Sequence, residues 1–322
     1  MSMLSALREV YAPTAAVELA ANRVSAATVE FRGGHAAVTS YATELLPDGA
    51  LVPSLTQANV HDRAAVVSAL ERVFERIGGR PRKIGLVVPD PIAKVSLVRF
   101  EHVPTRQQDL DQLVRWQVRK AAPFAIDDAL VSYARGLRAS DGQEFVVSIA
   151  RRDVVQEYEG LCAELGSHAG LVDLATFNVI NAVLAASPAG STDWLLVNVT
   201  ADYASIAILR GDDLIFFRNR GSDADGTLTD LVHQTAMYYE DRLGGKGFDR
   251  VLLAGIAGGK RRQALEVEQA KRSLQERLNK PVETVDPRAA AALTDRISAG
   301  PALLDALAPL VGLLVRGQEI NV

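Results

Sequence analysis

The sequence lacks paired cysteines, because Cys162 is the single thiol in 322 residues. One thiol cannot form a disulfide within the chain, and a metal site built on several thiolates is excluded. Cys162 occupies a position typical of the apolar side of a helix, so we interpret it as a packing residue and not as a reactive nucleophile. A reducing cytoplasm suits such a chain.

A large excess of charge of one sign is also lacking. The chain has 35 Lys and Arg residues against 39 Asp and Glu residues, which gives a net charge of -4. A nearly balanced surface has no overall field that attracts a polyanion. We therefore expect no nucleic-acid partner.

Long hydrophobic runs are missing. No stretch approaches the ~20 uncharged apolar residues that a membrane-spanning helix needs, and residues 1–16 contain no apolar segment of signal-peptide length. Residues 3–11 could form a short apolar face for a membrane surface or a partner, although such a segment more commonly docks on its own domain. We expect a cytoplasmic protein.

The patterns of familiar catalytic sites are absent as well. The five histidines show no metal-ligand spacing, and the sequence contains no Ser/His/Asp order, HExxH motif or Walker loop. We predict no metal site and no catalytic residue, and we expect no enzymatic activity.

What the chain does have is two halves with the same order of periodic segments. Residues 15–44 alternate as three strands and precede a helix capped by Asp62, and residues 194–220 alternate as three strands and precede a helix that begins at Thr227. This order indicates a mixed α/β fold with an internal duplication of topology. The alanine-rich residues 289–315 predict a helix interrupted near Gly300.

Between the halves, residues 84–167 predict a compact strand-rich insertion. Its first helix carries one inward stripe, formed by Leu110, Leu113, Val114, Gln117 and Val118. Thr105 and Gln108 have the spacing of a capping box, and Pro123 ends the helix. The insertion therefore combines a helix that has one polar face with several strands.

Four segments, in this order, resemble one protein family. They are RWQVRKAAPF at residues 115–124 with the acidic residues and Tyr133 that follow, the strand, helix and GLVD sequence of residues 145–173, YYEDRLGG and the next strand at residues 238–255, and APLVGLLVR at residues 308–316. Together they resemble the PilM-like actin-fold proteins of type IV pilus assembly, which are related to FtsA and to the cytoplasmic part of the type II secretion protein GspL.

The resemblance implies an actin-like, ribonuclease H-like duplicated α/β fold with a strand-rich inserted subdomain. Residues 1–83 and 168–190 would form the first actin-like lobe. Residues 84–167 would form the inserted subdomain, similar to subdomain 1C of FtsA, and residues 191–322 would form the second lobe with C-terminal helices.

The resemblance also implies two turns that face nucleotide phosphates. In the first turn Glu18 retains a carboxylate, but Ala20 replaces a glycine and Ser25 replaces a lysine. In the second turn Asn198 and Thr200 replace an aspartate and a glycine. A Cβ hinders close approach of backbone amides to phosphate, and an amide cannot hold hydrated magnesium as a carboxylate does.

A third turn, with Gly255, Gly258 and Gly259, retains the glycines of the family's adenosine site. The same glycines would also suit an ordinary strand-to-helix turn, which is the interpretation that we favour. The six residues Glu18, Asn198, Thr200, Gly255, Gly258 and Gly259 are thus the candidate nucleotide site. No cofactor is certain, and ATP with Mg²⁺ is the candidate.

A candidate partner site lies on the first helix of the insertion. Trp116 has basic neighbours at Arg115 and Arg119, and Phe124 follows the helix stop. An exposed aromatic side chain with a basic rim is typical of a partner anchor, although Trp116 could instead pack on the insertion's own sheet. The resemblance implies that the partner is the N-terminal tail of a PilN-like inner-membrane protein.

Taken together, these features predict a cytoplasmic scaffold, peripheral to the inner membrane, of a type IV pilus or related secretion machine. It would contact the PilN-like tail and other machine components. Ile320, Asn321 and Val322 resemble the start of a PilN tail motif and could occupy the groove of a neighbouring copy, although a frayed terminus is the interpretation that we favour. The alternatives are an actin-like ATPase whose nucleotide state regulates assembly, and the cytoplasmic part of a type II secretion platform protein.

Overall fold

The computed structural model describes residues 13–187, 190–222, 227–255, 261–294, 297 and 300–316. The strands are β1 (Ala15–Ala20), β2 (Arg23–Arg32), β3 (His35–Leu45), β4 (Lys83–Val88), β5 (Ala93–Phe100), β6 (Ala129–Ala139), β7 (Gly142–Arg151), β8 (His168–Leu174), β9 (Asp193–Val199), β10 (Tyr203–Arg210), β11 (Asp213–Gly221), β12 (Arg250–Ala254), β13 (Val282–Thr284) and β14 (Ala292–Leu293). The helices are α1 (Arg63–Arg76), α2 (Gln107–Val118), α3 (Arg152–Glu164), α4 (Ala175–Ala186), α5 (Leu228–Leu243), α6 (Arg261–Leu278) and α7 (Pro301–Val315).

Two large sheets share one topology. The first has the order β14-β3-β2-β1-β4-β8 and the second the order β11-β10-β9-β12-β13. In each, three antiparallel strands form a meander, and the first of them continues the sheet through two parallel strands. Apart from the short edge strand β14, both sheets therefore repeat the order third, second, first, fourth, fifth. The duplication predicted from the sequence is confirmed.

The first sheet is covered on both faces. On one face β1 packs with α1 and α3 through Val17, Leu70 and Tyr158, and on the other face α7 packs through Leu307 and Leu313. Every residue of β1 except its last is buried, as expected for a central strand covered on both sides. Two-sided cover explains why β1 reads as a continuous buried run and not as a clean alternation.

Helix α1 begins and ends where the sequence predicts. Asp62 is the N-cap, and its side chain accepts a hydrogen bond from the N–H of Ala65. Gly78 follows the helix at a φ of 102°, a conformation that L side chains rarely adopt. Helix α2 differs, because its N-cap is Arg106 without a side-chain cap bond, so the capping box predicted from Thr105 and Gln108 is wrong.

The third sheet, with the order β5-β7-β6, forms the insertion together with α2. It spans residues 93–151, which is narrower than the predicted 84–167. Strand β4 is paired with β1 and β8 in the first sheet, and α3 packs on that sheet's core. Hydrogen bonding and packing thus associate both flanks of the predicted insertion with the first lobe.

The C-terminal region also returns to the first lobe. Strand β14 pairs with β3, and α7 buries its apolar side chains against the first sheet. Among the residues of the alanine-rich stretch 289–315 that the structure describes, the α-helix is Pro301–Val315. Pairing of Ala292 and Leu293 with β3 overrides the helical preference of the alanines around them, so the helix predicted over that part is wrong.

The reactivity of the Cys162 thiol provides a test of the packing in the first lobe. It lies fully buried on α3, and burial, with the charge of Glu159 adding to it, raises the pKa of its thiol to about 12. We expect a thiol-specific disulfide reagent to label the native protein only as fast as the first lobe opens, and to label it at once in denaturant. The labelling reaction is monitored by its absorbance change at neutral pH. Rapid and complete labelling of the native protein would contradict this packing.

Candidate functional site

The first phosphate-turn candidate, Glu18, is neutralised by a neighbour. Glu18 is buried near the end of β1, and Nη2 of Arg23 donates a hydrogen bond to its Oε2 at 2.9 Å. Burial would lower the pKa of Arg23, but the charges of Glu18 and Tyr41 leave it raised above the ordinary value. The carboxylate is therefore already paired with a cation inside the same hairpin.

The second turn is closed on itself. Oγ1 of Thr200 lies 3.1 Å from the carboxylate of Asp202 and 3.1 Å from the carbonyl oxygen of Tyr203, and it accepts the N–H of Tyr203 at 3.2 Å. Nδ2 of Asn198 donates to Oγ1 of Thr176 at 2.8 Å. Both candidate side chains are thus bonded within the protein.

Gly255 is required by packing. Its φ is 87°, and a Cβ added there would lie 1.8 Å from the carbonyl oxygen of Val199, which no side chain could tolerate. Its N–H donates to Oδ1 of Asp305 on α7 at 2.8 Å. Gly258 and Gly259, predicted as part of the same site, lie outside the residues that the structure describes.

These contacts bear on whether ATP and Mg²⁺ fit. Mg²⁺ sites in such folds need carboxylates free to hold hydrated metal, and phosphates need free backbone N–H groups. Here Glu18 is paired with Arg23, and the N–H of Gly255 is bonded to Asp305. The described residues of the candidate site therefore do not fit the group, although they lie where the two lobes face each other.

A buried carboxylate that sequence reasoning missed lies between the lobes. Asp90, just after β4, is fully buried and accepts three hydrogen bonds, from the N–H of Thr176 at 3.0 Å and from the hydroxyl groups of Thr176 and Ser205. Asn198 and Asn219 donate to those two hydroxyl groups at 2.8 and 2.9 Å. Asp90 and Thr176 belong to the first lobe, whereas Ser205, Asn198 and Asn219 belong to the second sheet.

This set of five residues, which we call the interlobe network, joins the two sheets through one anion. Burial raises the pKa of Asp90 to about 6, and the hydrogen bonds from Ser205 and Thr176 oppose that shift. At neutral pH the carboxylate is ionised, and the hydroxyl groups of Thr176 and Ser205 donate to it. The sequence offered only an Asp between two prolines, which is typical of an exposed turn.

A cavity of about 430 Å³ lies where the inserted sheet meets both lobes. Its apolar wall comes from all three parts of the fold, and includes Leu130, Val146, Val172, Phe177, Leu209 and Leu214. Side chains on β7 alternate between α2 and the cavity: Phe145, Val147 and Ile149 pack with α2, whereas Val146, Ser148 and Ala150 line the cavity. The cavity and α2 are therefore on opposite faces of the inserted sheet.

An ion pair borders the cavity. The guanidinium of Arg316, just after α7, donates to Oδ2 of Asp173 on β8. Burial raises the pKa of Asp173, and the charge of Arg316 opposes the rise. The residue after the C-terminal helix thus contributes directly to the wall of the cavity.

The four predicted partner residues lie away from this cavity. Arg115 and Trp116 are exposed on α2 and Arg119 is exposed directly after it, and Trp116 is 70% exposed, so it does not pack on its own sheet. Phe124 is half-buried against the core of the insertion. The structure brings Arg115, Trp116 and Arg119 together at the C-terminal end of α2 but separates them from the cavity.

Among the described residues, no three His, Cys, Asp or Glu side chains are grouped so that they could hold a metal ion. No helix in that part of the chain is long and apolar enough to cross a membrane.

The duplicated sheets with an insertion after the fourth strand define an actin-like protein. Within that class, the chain belongs to the type IV pilus assembly protein PilM family, whose model matches residues 16–242. Both the resemblance of the four sequence segments and the predicted fold class are confirmed. A search of curated proteins found no match.

Solved structures agree on the fold. A chain of a PilM-PilN type IV pilus biogenesis complex is similar at 18% identity with a TM-score of 0.78, over 95% of this chain and 98% of that one. More distant matches are a protein of unknown function with an actin-like ATPase fold from Bacteroides thetaiotaomicron (10% identity, TM-score 0.46, 90% and 94% covered) and the cytoplasmic domain of EpsL from Vibrio cholerae (9%, 0.45, 75% and 81%).

The interlobe network makes stability depend on pH. Burial raises the pKa of Asp90 in the folded chain to about 6, from an ordinary value of 3.8. Between those two pH values the native state binds more protons than the unfolded state. The contribution of Asp90 to the free energy of unfolding therefore falls as the pH rises through about 6, and it is constant at higher pH. Relative to Asp90→Asn, which cannot ionise, we expect the wild-type chain to lose about 1 kcal/mol between pH 5 and pH 7.5.

The measurement is urea denaturation of both proteins at the two pH values. Taking the difference between the two proteins removes the pH dependence of every other group, provided that the m-values of the two proteins agree. A wild-type advantage that grows with pH would show that the hydrogen bonds to Asp90 outweigh its burial.

Proposed function

We propose that this chain is a non-catalytic scaffold that holds the N-terminal tail of a PilN-like inner-membrane protein in the cavity beneath the inserted sheet. The observation that carries the proposal is the cavity itself, about 430 Å³ in volume and bordered by the insertion and both lobes. Such volumes suit a few side chains of a bound segment. The solved relative is a PilM-PilN complex, which gives the partner its class.

Strand β6 supplies the main-chain groups for such a partner. In the order β5-β7-β6 it pairs with β7 on one side, and no strand among the described residues pairs with its outer edge. Consecutive residues 132–136 border the cavity, so the edge of the strand as well as one face lies along it. An extended tail can add to such an edge by main-chain hydrogen bonds, while its apolar side chains enter the cavity.

Charged groups at the rim favour a fixed direction of the tail. Arg135 and Arg316 lie on the wall, together with Asp212 and Asp213 in the turn between β10 and β11. Cations and anions at separate places can pair with opposite charges on a peptide, which selects register more than affinity. A tail bound here would hold the protein on the cytoplasmic side of the inner membrane.

The closed nucleotide turns support the non-catalytic part of the proposal. The groups that would hold Mg²⁺ and phosphate are bonded to Arg23, Thr176 and Asp305 instead. Opening them would leave buried polar groups without partners, which costs about 1–3 kcal/mol each. The scaffold therefore works without nucleotide, and Glu18, Asn198, Thr200 and Gly255 act as structural residues.

Binding of the tail can be tested on the cavity wall. Ala134→Trp places an indole on an exposed position of β6 that borders the cavity, and we expect it to weaken binding of a peptide with the PilN-like partner's N-terminal sequence by about tenfold or more. Arg138→Trp is the matched control, since Arg138 is exposed on the same strand and does not border the cavity.

Calorimetric titration of each variant with the peptide gives the affinities. Equal binding by wild type and Ala134→Trp would place the tail elsewhere. Weakened binding by Arg138→Trp alone would move the site to the other end of β6.

The nucleotide question needs a separate titration. We expect no heat of binding from magnesium-ATP at concentrations up to ~1 mM, and no ATP hydrolysis above background. The alternative, an actin-like ATPase whose nucleotide state regulates assembly, requires binding in the micromolar range and hydrolysis or filament formation. Either of those results would replace the non-catalytic scaffold with that alternative.

A further inference from the structure

An exposed indole with neighbouring cations covers the outer face of α2. Trp116 is 70% exposed, whereas the chain's other tryptophan, Trp194, is 4% exposed and donates its indole N–H to the carbonyl oxygen of Gly211 at 2.9 Å. Leu110, Val114 and Val118 occupy the inward face of α2, so Trp116 has no role in that core.

The cations beside Trp116 are at most weakly paired within the protein, and of the three only Arg115 acts on the charge of Asp111, four residues before it. Arg115, Arg119 and Lys120 are all exposed, and within the described residues no hydrogen bond or ion pair involves the side chain of Arg119 or Lys120. Arg115 makes only a long hydrogen bond, 3.5 Å, to the carbonyl oxygen of Ile126. Asp111, the nearest acid on the helix, is engaged by Tyr133 and Gln107.

We name Arg115, Trp116, Arg119 and Lys120 the Trp116 surface. We propose that it binds the surface of an anionic phospholipid bilayer. The indole would lie among the headgroups, where tryptophan is enriched, and the three cations would pair with lipid phosphates. This contact is additional to the tail site, and it requires neither the cavity nor nucleotide.

The chemistry of the surface favours lipid over a protein partner. A protein hot spot is an aromatic side chain at the centre of a well-packed apolar patch. Trp116 instead has the exposed polar residues Gln112 and Gln117 and the cations around it, and it is the one large apolar side chain on α2 that is more than half exposed. An isolated indole with a cationic rim matches an interface that is apolar below and anionic above.

The fold allows both contacts at once. The cavity lies on one face of the inserted sheet and α2 covers the other, because β7 directs alternate residues to each. A bilayer bound to the outer face of α2 therefore leaves the cavity open. The insertion would then contact the membrane with one face and the tail of a membrane protein with the other.

The test uses the full chain and vesicles without any partner. We expect co-sedimentation with vesicles of phosphatidylglycerol and phosphatidylethanolamine, little with phosphatidylcholine alone, and a blue shift of tryptophan emission in the first case. Because Trp194 is buried, that shift reports on Trp116, and Trp116→Phe should abolish it. Each Lys or Arg near an anionic bilayer strengthens membrane binding by a similar factor. Replacing all three cations with Gln should therefore lower partitioning into the vesicles by about a hundredfold.

Controls separate this proposal from its competitors. Leu45→Ala removes another highly exposed apolar side chain and should sediment like the wild type, whereas Trp116→Ala should not. Ala134→Trp, designed against the tail site, should still bind vesicles, so either proposal can fail alone.

Three results would overturn the lipid proposal. They are equal binding to phosphatidylcholine vesicles, undiminished binding by Trp116→Ala, and an emission shift caused by a soluble pilus-assembly protein but not by vesicles. The last would make the Trp116 surface a protein-docking site.

Discussion

The carboxylate of Asp90 is the interaction on which the arrangement of the two lobes depends. It is fully buried, yet it accepts hydrogen bonds from Thr176 at the start of α4 and from Ser205 in the second sheet. An ion held away from water is costly unless its lone pairs are satisfied, so the network fixes both lobes in the one arrangement that satisfies it. Asn198, which the family resemblance assigns to the second phosphate turn, completes that network by donating to Thr176. The same residue that weakens the case for magnesium thus stabilises the contact between the lobes.

The two faces of the inserted sheet carry the two proposed binding sites. One face borders an apolar cavity with an unpaired strand edge, and the other carries α2, whose outer side presents Trp116 and its cations. Strand alternation alone produces this division, since neighbouring residues of β7 point to opposite faces. A small insertion can therefore provide a site for a peptide and a site for a charged surface without either obstructing the other.

Much of the fold could be predicted from the sequence, and the site could not. Periodicity located the strands of both meanders and the helices after them, and the Asp62 cap and Gly78 stop of α1 were read correctly because both act within a few residues. The predicted limits of the insertion include strand β4, because its residue pattern does not show that it pairs with β1 and β8 in the first sheet. Ala292 and Leu293 were assigned to a helix, since local preference favours one and only pairing with β3 decides otherwise. The candidate nucleotide residues were located, but their partners, such as Asp305 for Gly255, lie far along the chain.

The sequence by itself determined the family, the duplicated α/β topology and the presence of a single thiol. These are properties of residue type and local spacing, which the chain carries before it folds. Only the tertiary structure decided that Asp90 is the buried link between the lobes, that the cavity lies opposite α2, and that Trp116 is exposed. Each of these depends on which distant segments meet and which face of a strand or helix they cover, and burial, pairing of charge and access to a cavity arise only from that meeting.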